Sequence, residues 1–261
     1  MCYLCAGRLL SIPSTYEATV LQELHAWQQS MQRKPSLLNR LTGKVQSRFA
    51  KIIPEKVHQV VTTTIKQMVK GVLFGAKITT AGPDQARSLE DREKAVKQRI
   101  KVYRTTAAAE GGITGAGGIL LGLADFPLLL GIKIKLLFDI AALYGYEVKD
   151  FKERMYILYI FQLAFSSQQK RNEVYRQVAG WKEISKTLPN DTGQFDWRSF
   201  QQEYRDYIDI AKMAQLVPVI GAPVGAIANY SLIKKLGTTA MNAYRMRWFQ
   251  KEQNGAPEMI C

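Results

Sequence analysis

Gly111, Gly115, Gly118 and Gly122 recur every three or four residues in the apolar stretch EGGITGAGGILLGLADFPLLLGI, residues 110–132, and that spacing lines them along one side of an α-helix. A glycine inside a helix costs up to about 1 kcal/mol relative to alanine, which a chain tolerates where a second helix backbone has to come close. A second segment of the same kind, LVPVIGAPVGAIANYSLI over residues 216–233, carries Gly221 and Gly225. Each segment has an alanine, Ala124 or Ala228, followed by a polar residue, an aromatic, a helix breaker or cap and two aliphatics. The runs are Asp125-Phe126-Pro127-Leu128-Leu129 and Asn229-Tyr230-Ser231-Leu232-Ile233. The match predicts a pseudo-repeat in which two glycine-rich apolar helical hairpins pack together.

The rest of the chain also reads as helix. Ser14 with Glu17 forms a capping box for a helix to about Gln32, and Pro54 with Glu55 opens another to about Ile78. The loop TTAGPDQA follows, and Ser88 with Asp91 then caps a charged helix reaching Glu110. Residues 147–170 and 172–187 carry apolar and aromatic side chains at helical spacing, such as Met155, Leu158, Tyr159, Gln162 and Phe165. The turn LPNDTGQFD leads to a helix capped near Asp196. No alternation of β-branched residues is long enough for a strand, so the fold class is all-α, a single multi-helix domain. With 261 residues and 47% apolar side chains the chain can bury a sizeable core.

The glycine-rich segments are poor bilayer spans. Asp125 and Pro127 interrupt the first, Lys133, Lys135 and Asp139 follow closely, and Pro218 and Pro223 interrupt the second. A buried hairpin or a shallow insertion fits them better than a crossing. Residues 1–10 hold one positive charge and no cleavage-site pattern, and are read as an extension and not as a secretory signal.

Charge is uneven. The total is +14, of which residues 31–104 carry +12, the first thirty −1 and the remainder +3. Such a block attracts a polyanion, either nucleic acid or an anionic bilayer. Residues 36–53 read as one helix closed by Pro54, with Arg40, Lys44, Arg48 and Lys51 within about 80° of one another. Beside them runs an apolar stripe of Leu38, Leu41, Val45, Phe49 and Ile52. Basic stems that snorkel over an apolar strip suit lipid phosphates, whereas a stacking platform for nucleic acid needs interleaved aromatics that the block lacks. An amphipathic helix packed on its own domain with a solvated basic face has the same pattern.

Catalytic and cofactor motifs are scarce. Cys2, Cys5 and Cys261 lie at the ends, which suits a reducing compartment, and no second ligand pair stands at zinc spacing from Cys2 and Cys5. The glycine runs fail the dinucleotide and P-loop patterns, so no cofactor is expected. With only His25 and His58, a histidine-activated nucleophile is hard to assemble. The acidic candidates are Glu110 and Asp125, with Asp139 beyond, since a carboxylate in an apolar setting can have a raised pKa. Asp125, two residues before Pro127, is better placed to cap a helix starting there.

The block EGGITGAGGILLGLADFPLLL resembles the signature of the EcsC protein family. The similarity extends from about Tyr16 through IPEKVHQVV and GVLFGAK to NYSLIKKLGTTAMNAYRMRWF. It implies an extension over residues 1–13, one EcsC-like domain over 14–253 and a tail over 254–261. The domain divides into basic N-terminal helices (14–104) and a glycine-rich core (105–253). The family is named from a gene beside an ABC exporter's subunits, which implies a bacterial, membrane-associated accessory role and supplies no catalytic residues. Two functions are therefore expected. The first is a protein of the cytoplasmic face of the membrane that docks on anionic lipid through its basic helices, with an ABC exporter as partner. The alternative is a hydrolase or transferase acting on a lipid-like substrate, with Glu110 or Asp125 in an apolar pocket.

Overall fold

The computed structural model of the protein describes residues 15–33, 55–74, 82–83, 87–116, 118–166, 170–189 and 222–255. Within the helices, side chains at 55–58, 73–74, 110–116, 118–125, 222–226, 228 and 252–255 are outside the description. Among the described residues there are eight α-helices: α1 (Thr15–Gln32), α2 (Glu55–Phe74), α3 (Leu89–Ala116), α4 (Gly118–Leu143), α5 (Phe151–Phe165), α6 (Arg171–Ala179), α7 (Trp181–Thr187) and α8 (Ala222–Gly255). The basic helix expected over 36–53, with Arg40, Lys44, Arg48 and Lys51, lies outside the described residues, as does the helix expected near Asp196.

Helix ends follow local chemistry. Ser88 Oγ accepts the N–H of Asp91 at 3.2 Å and donates to its carboxylate at 2.8 Å, fixing the start of α3. Asp150 caps α5 by accepting the N–H of Lys152 at 3.0 Å, so this helix starts at Phe151, and residues 147–150, expected to be helical, form the turn before it. At the end of α4 the N–H of Tyr146 bonds the Ala141 carbonyl (3.0 Å) and that of Gly145 the Ala142 carbonyl (2.9 Å). This is the Schellman arrangement, and Gly145 takes the positive φ of 87° that it requires. The helix expected over 172–187 is two pieces, because the chain turns at Gly180, whose N–H bonds the Arg176 carbonyl at 2.8 Å.

The core forms around α5 and α8. Twelve of the fifteen residues of α5 are buried, so this helix has no solvent face and sits among its neighbours. α8 has 34 residues, about 50 Å of helix, and touches α1, α3, α4, α5 and α6. Its most extensive partner is α3, to which it runs antiparallel: Trp248 meets Arg92, Arg245 meets Glu93 and Tyr230 meets Arg104. Midway, a Cβ on Gly237 would lie 2.6 Å from Ile100 Cδ1 and 2.7 Å from its Cγ1. Glycine there lets the two helices approach, the role expected of the glycines of residues 110–132 and found at a position outside that set.

The first glycine-rich segment straddles the break between α3 and α4, which pack on each other. Two expectations need correcting. α3 continues past Glu110 to Ala116, and the next helix begins at Gly118, so Pro127 lies inside α4 and Asp125 cannot be its N-cap. Phe126, Leu129 and Leu130 around Pro127 are buried, and their packing holds the helix through a residue that disfavours it. In the second segment Pro223 stands in the first turn of α8, where a missing N–H costs nothing, and does not interrupt a helix.

Candidate functional site

The glycine-rich end of the molecule contains most of the residues singled out in the sequence. Glu110, Gly111 and Gly115 lie in the last turns of α3, Gly118, Gly122 and Asp125 in the first turns of α4, and Gly225 in the first turn of α8. Gly221 precedes that helix and is outside the described residues. The side chains of Glu110 and Asp125 are likewise outside, so the acidic pocket has no described geometry.

Just inside this end, α4 and α8 enclose a lysine. Lys133 is fully buried, and its Nζ donates to the Leu129 carbonyl at 3.2 Å and to Asn229 Oδ1 at 3.1 Å. Burial alone pushes its pKa down from 10.5 to about 7, because an ammonium loses hydration that two neutral acceptors replace incompletely. Asn229 is equally buried, and its Nδ2 has no hydrogen-bond partner among the described residues. In the sequence Asn229 stands out as the polar residue of the pseudo-repeat. Lys133 counts there only as a charge against a membrane span; its apolar flanks, Ile132 and Ile134, are the signal that it is enclosed.

Around this pair the surface is apolar. The exposed large hydrophobic side chains among the described residues are Val102, Leu128, Ile227 and Tyr230, exposed by 49%, 53%, 67% and 43%. Leu128, Ile227 and Tyr230 lie towards the glycine-rich end, whereas Val102 stands midway along α3, beside the Tyr103 that bonds Asp139. Tyr230 packs under the Arg104 guanidinium at 3.8 Å, Ile227 is one turn before Tyr230, and Leu128 adjoins the Leu129 that holds Lys133. Scattered single apolar residues on a surface mean little, and three of them towards one end make it the candidate contact face.

The other end of the α3–α8 pair is tied by charges. Arg245 donates Nε to Glu93 Oε1 at 2.7 Å and an Nη to Oε2 at 2.6 Å, with its other Nη on Glu23 at 3.0 Å. Tyr16 and Tyr144 add hydroxyl bonds to Glu93 at 2.8 and 3.1 Å. Arg247, two residues on and so on the far side of the helix, donates to Glu153 at 2.7 Å and lies over the rings of Tyr146 and Tyr156 at 3.7 and 4.6 Å. Burial pushes Glu153 above the usual carboxylate range, against the pull of Arg247 and a 2.6 Å bond from Tyr244. Asp139 is held by Lys135, by the Tyr103 hydroxyl at 2.9 Å and by Arg99 at 3.7 Å. These carboxylates are saturated with donors, which makes them structural ties between helices. Their sequence signal, two arginines in a Tyr-Arg-Met-Arg-Trp run, shows only when the helix is wound and the two point apart.

Among the described residues no helix is long and apolar enough to cross a membrane, and no three His, Cys, Asp or Glu side chains are grouped to hold a metal ion.

Comparison with known proteins agrees with the motif that spans the α3–α4 break. The family model described as the EcsC protein family matches residues 18–249. Protein EcsC of Bacillus subtilis (strain 168) is 45% identical over 229 residues, which cover 87% of this chain and 94% of that protein. A second protein of the same organism, described as uncharacterized protein YdbA, is 31% identical over 253 residues, covering 87% of this chain and 90% of its own. No solved structure matches. From the helices at its start to the last long helix, the chain belongs to the EcsC protein family.

Proposed function

We propose that the protein is a peripheral membrane accessory protein of the EcsC type, which sets its glycine-rich end against an anionic bilayer on the cytoplasmic side. The observation that supports this most is the exposure of Leu128, Ile227 and Tyr230 towards that end. Shallow burial of such side chains in the acyl boundary contributes about 1.5–3 kcal/mol for each fully buried Ile or Leu. The excess of positive charge in residues 31–104 adds attraction, about 1 kcal/mol for each Lys or Arg brought near the surface. Arg40, Lys44, Arg48 and Lys51 are the residues assigned to that contact. Arg104, stacked on exposed Tyr230, places a cation within the apolar patch itself. The glycine-rich segments pack as paired hairpins beneath this face. An ABC exporter, the partner implied by the family's naming, would then be met in the plane of the same membrane.

Flotation of the purified protein with vesicles tests the proposal. Binding is expected to vesicles containing phosphatidylglycerol, to weaken with added salt and to be small for neutral phosphatidylcholine. Leu128→Asp with Ile227→Asp should abolish it while leaving the melting temperature unchanged, since both side chains are exposed. Undiminished flotation of that double variant, or equal binding to neutral vesicles, would exclude this face.

A further inference from the structure

On α3 no Asp or Glu stands between Glu93 and Glu110, and on α8 none precedes Glu252. The cations along those stretches share few acids. Lys97 reaches Glu93, Arg99 reaches Asp139, Arg245 takes Glu93 and Glu23, and Arg247 takes Glu153. Lys101, Arg104 and Lys234 form no ion pair among the described residues.

These three stand together. Arg104 and Tyr230 face each other across the two helices, with the guanidinium carbon 3.8 Å from the ring centroid. Lys101 is one turn before Arg104 on α3, and Lys234 is one turn after Tyr230 on α8. Because the helices run antiparallel, both turns lead the same way, and the two lysines come level with each other beside the stacked pair. Both lysines are exposed, whereas Arg104 is half-buried.

Arg104 is the anchor of the group. A ring attracts a guanidinium and orients it, but takes up none of its charge. Its Nε is buried with no hydrogen-bond partner, which leaves the Nη end for an acceptor from outside. Thr105 and Thr106 turn their hydroxyls onto carbonyls of their own helix, at 3.1 and 3.2 Å, and do not serve it. On the side of the stacked pair away from the lysines the surface is apolar, with Ile227 67% exposed one turn from Tyr230. A ligand that fits both sides is anionic at one end and hydrocarbon at the other.

We infer that Arg104, stacked on Tyr230 and flanked by Lys101 and Lys234, holds the phosphate of a single anionic phospholipid whose hydrocarbon lies towards Ile227. This contact deepens the docking proposed above, on which it rests. A molecule set with its glycine-rich end against a bilayer meets groups in that order, apolar contacts deepest and phosphates above them. A guanidinium grips two phosphate oxygens at once where an ammonium is a point charge, and that separates a site from general attraction to a charged surface.

Calorimetric titration of the full chain with dihexanoyl phosphatidylglycerol, kept monomeric below its micelle concentration, tests the site without a bilayer. Saturable binding of one lipid is expected, with dihexanoylglycerol, which lacks the phosphate, at least about tenfold weaker. Arg104→Lys keeps the charge and removes the two-pronged grip, so affinity should fall about tenfold, where general attraction to charge would leave it unchanged. Lys101→Gln with Lys234→Gln, both at exposed positions, should keep the melting temperature and lower the affinity about fivefold or more. Lack of saturable binding up to about 10 mM, undiminished affinity in either variant, or tighter binding of an oligonucleotide overturns the site. Wild-type protein that floats with vesicles yet does not bind the monomeric lipid rejects this site alone, and protein that binds the lipid yet does not float rejects the docking face alone.

Discussion

An ammonium group without water is a standing cost, and Lys133 bears it. Its folded pKa lies near 7 against the ordinary 10.5, so between those values the unfolded chain holds one more proton than the folded one. Stability therefore rises as pH climbs from about 7 towards 10.5, and below 7 the penalty is present in full. Removing the charge in Lys133→Met should flatten that rise and relieve a cost on the order of a few kcal/mol at low pH. Urea midpoints of both proteins at about pH 6 and about pH 9 measure it, and parallel slopes would show that Lys133 does not carry the dependence. Glu93 and Arg245 present the opposite case, a buried pair with every donor placed. Arg245→Met alone should cost about 3–5 kcal/mol by leaving Glu93 buried without its counter-ion, and adding Glu93→Leu should return a substantial part of it. A double-mutant cycle reads the coupling directly. None of these pairings was legible in the sequence, because Glu93 and Arg245 stand 152 positions apart and only the fold brings them together.

At the scale of the helix, glycines divide by what a methyl group would meet. A Cβ at Gly237 runs into Ile100, whereas one at Gly131 finds nothing within 4 Å. Gly237→Leu should therefore cost about 1–3 kcal/mol or more by forcing α3 and α8 apart. Gly131→Ala should instead raise stability by up to about 1 kcal/mol through helix propensity alone. Thermal melts of the two variants should move in opposite directions, and a stabilised Gly237→Leu would contradict close contact between α3 and α8. The sequence leads to an expectation of packing through the periodic glycines of residues 110–122, whereas isolated Gly237 in Lys-Lys-Leu-Gly-Thr carries no such period. Caps were legible where their chemistry is local, as at Ser88. Asp125 was misread for the complementary reason. The sequence offers a proline and a preceding acid, a valid start signal, and the burial of Phe126, Leu129 and Leu130 against other helices overrides it.

Among the described residues two ends of the α3–α8 pair are distinguished, one apolar and glycine-rich, one aromatic and tied by buried ion pairs. The all-α class and the family were legible because each rests on short-range patterns repeated along the chain. The cavity between the start of α3, the turn after α4 and the end of α8 was not, since its lining residues come from positions 87–92, 144–146 and 248–251, each unremarkable alone. The long pairing that separates the two ends also fixes the order in which the chain can become stable. Arg245 reaches back 222 positions to Glu23, and α8 contacts five of the other seven described helices. Before α8 has left the ribosome, Glu93 and Glu153 have no arginine and the faces that α3 and α5 turn towards α8 are uncovered. Folding is therefore expected to wait for α8, with the seven earlier described helices held as an exposed, chaperone-dependent intermediate. A ribosome-bound chain stopped at residue 221 should be digested by protease throughout, and the same chain extended past residue 250 and clear of the exit tunnel should become resistant in one step.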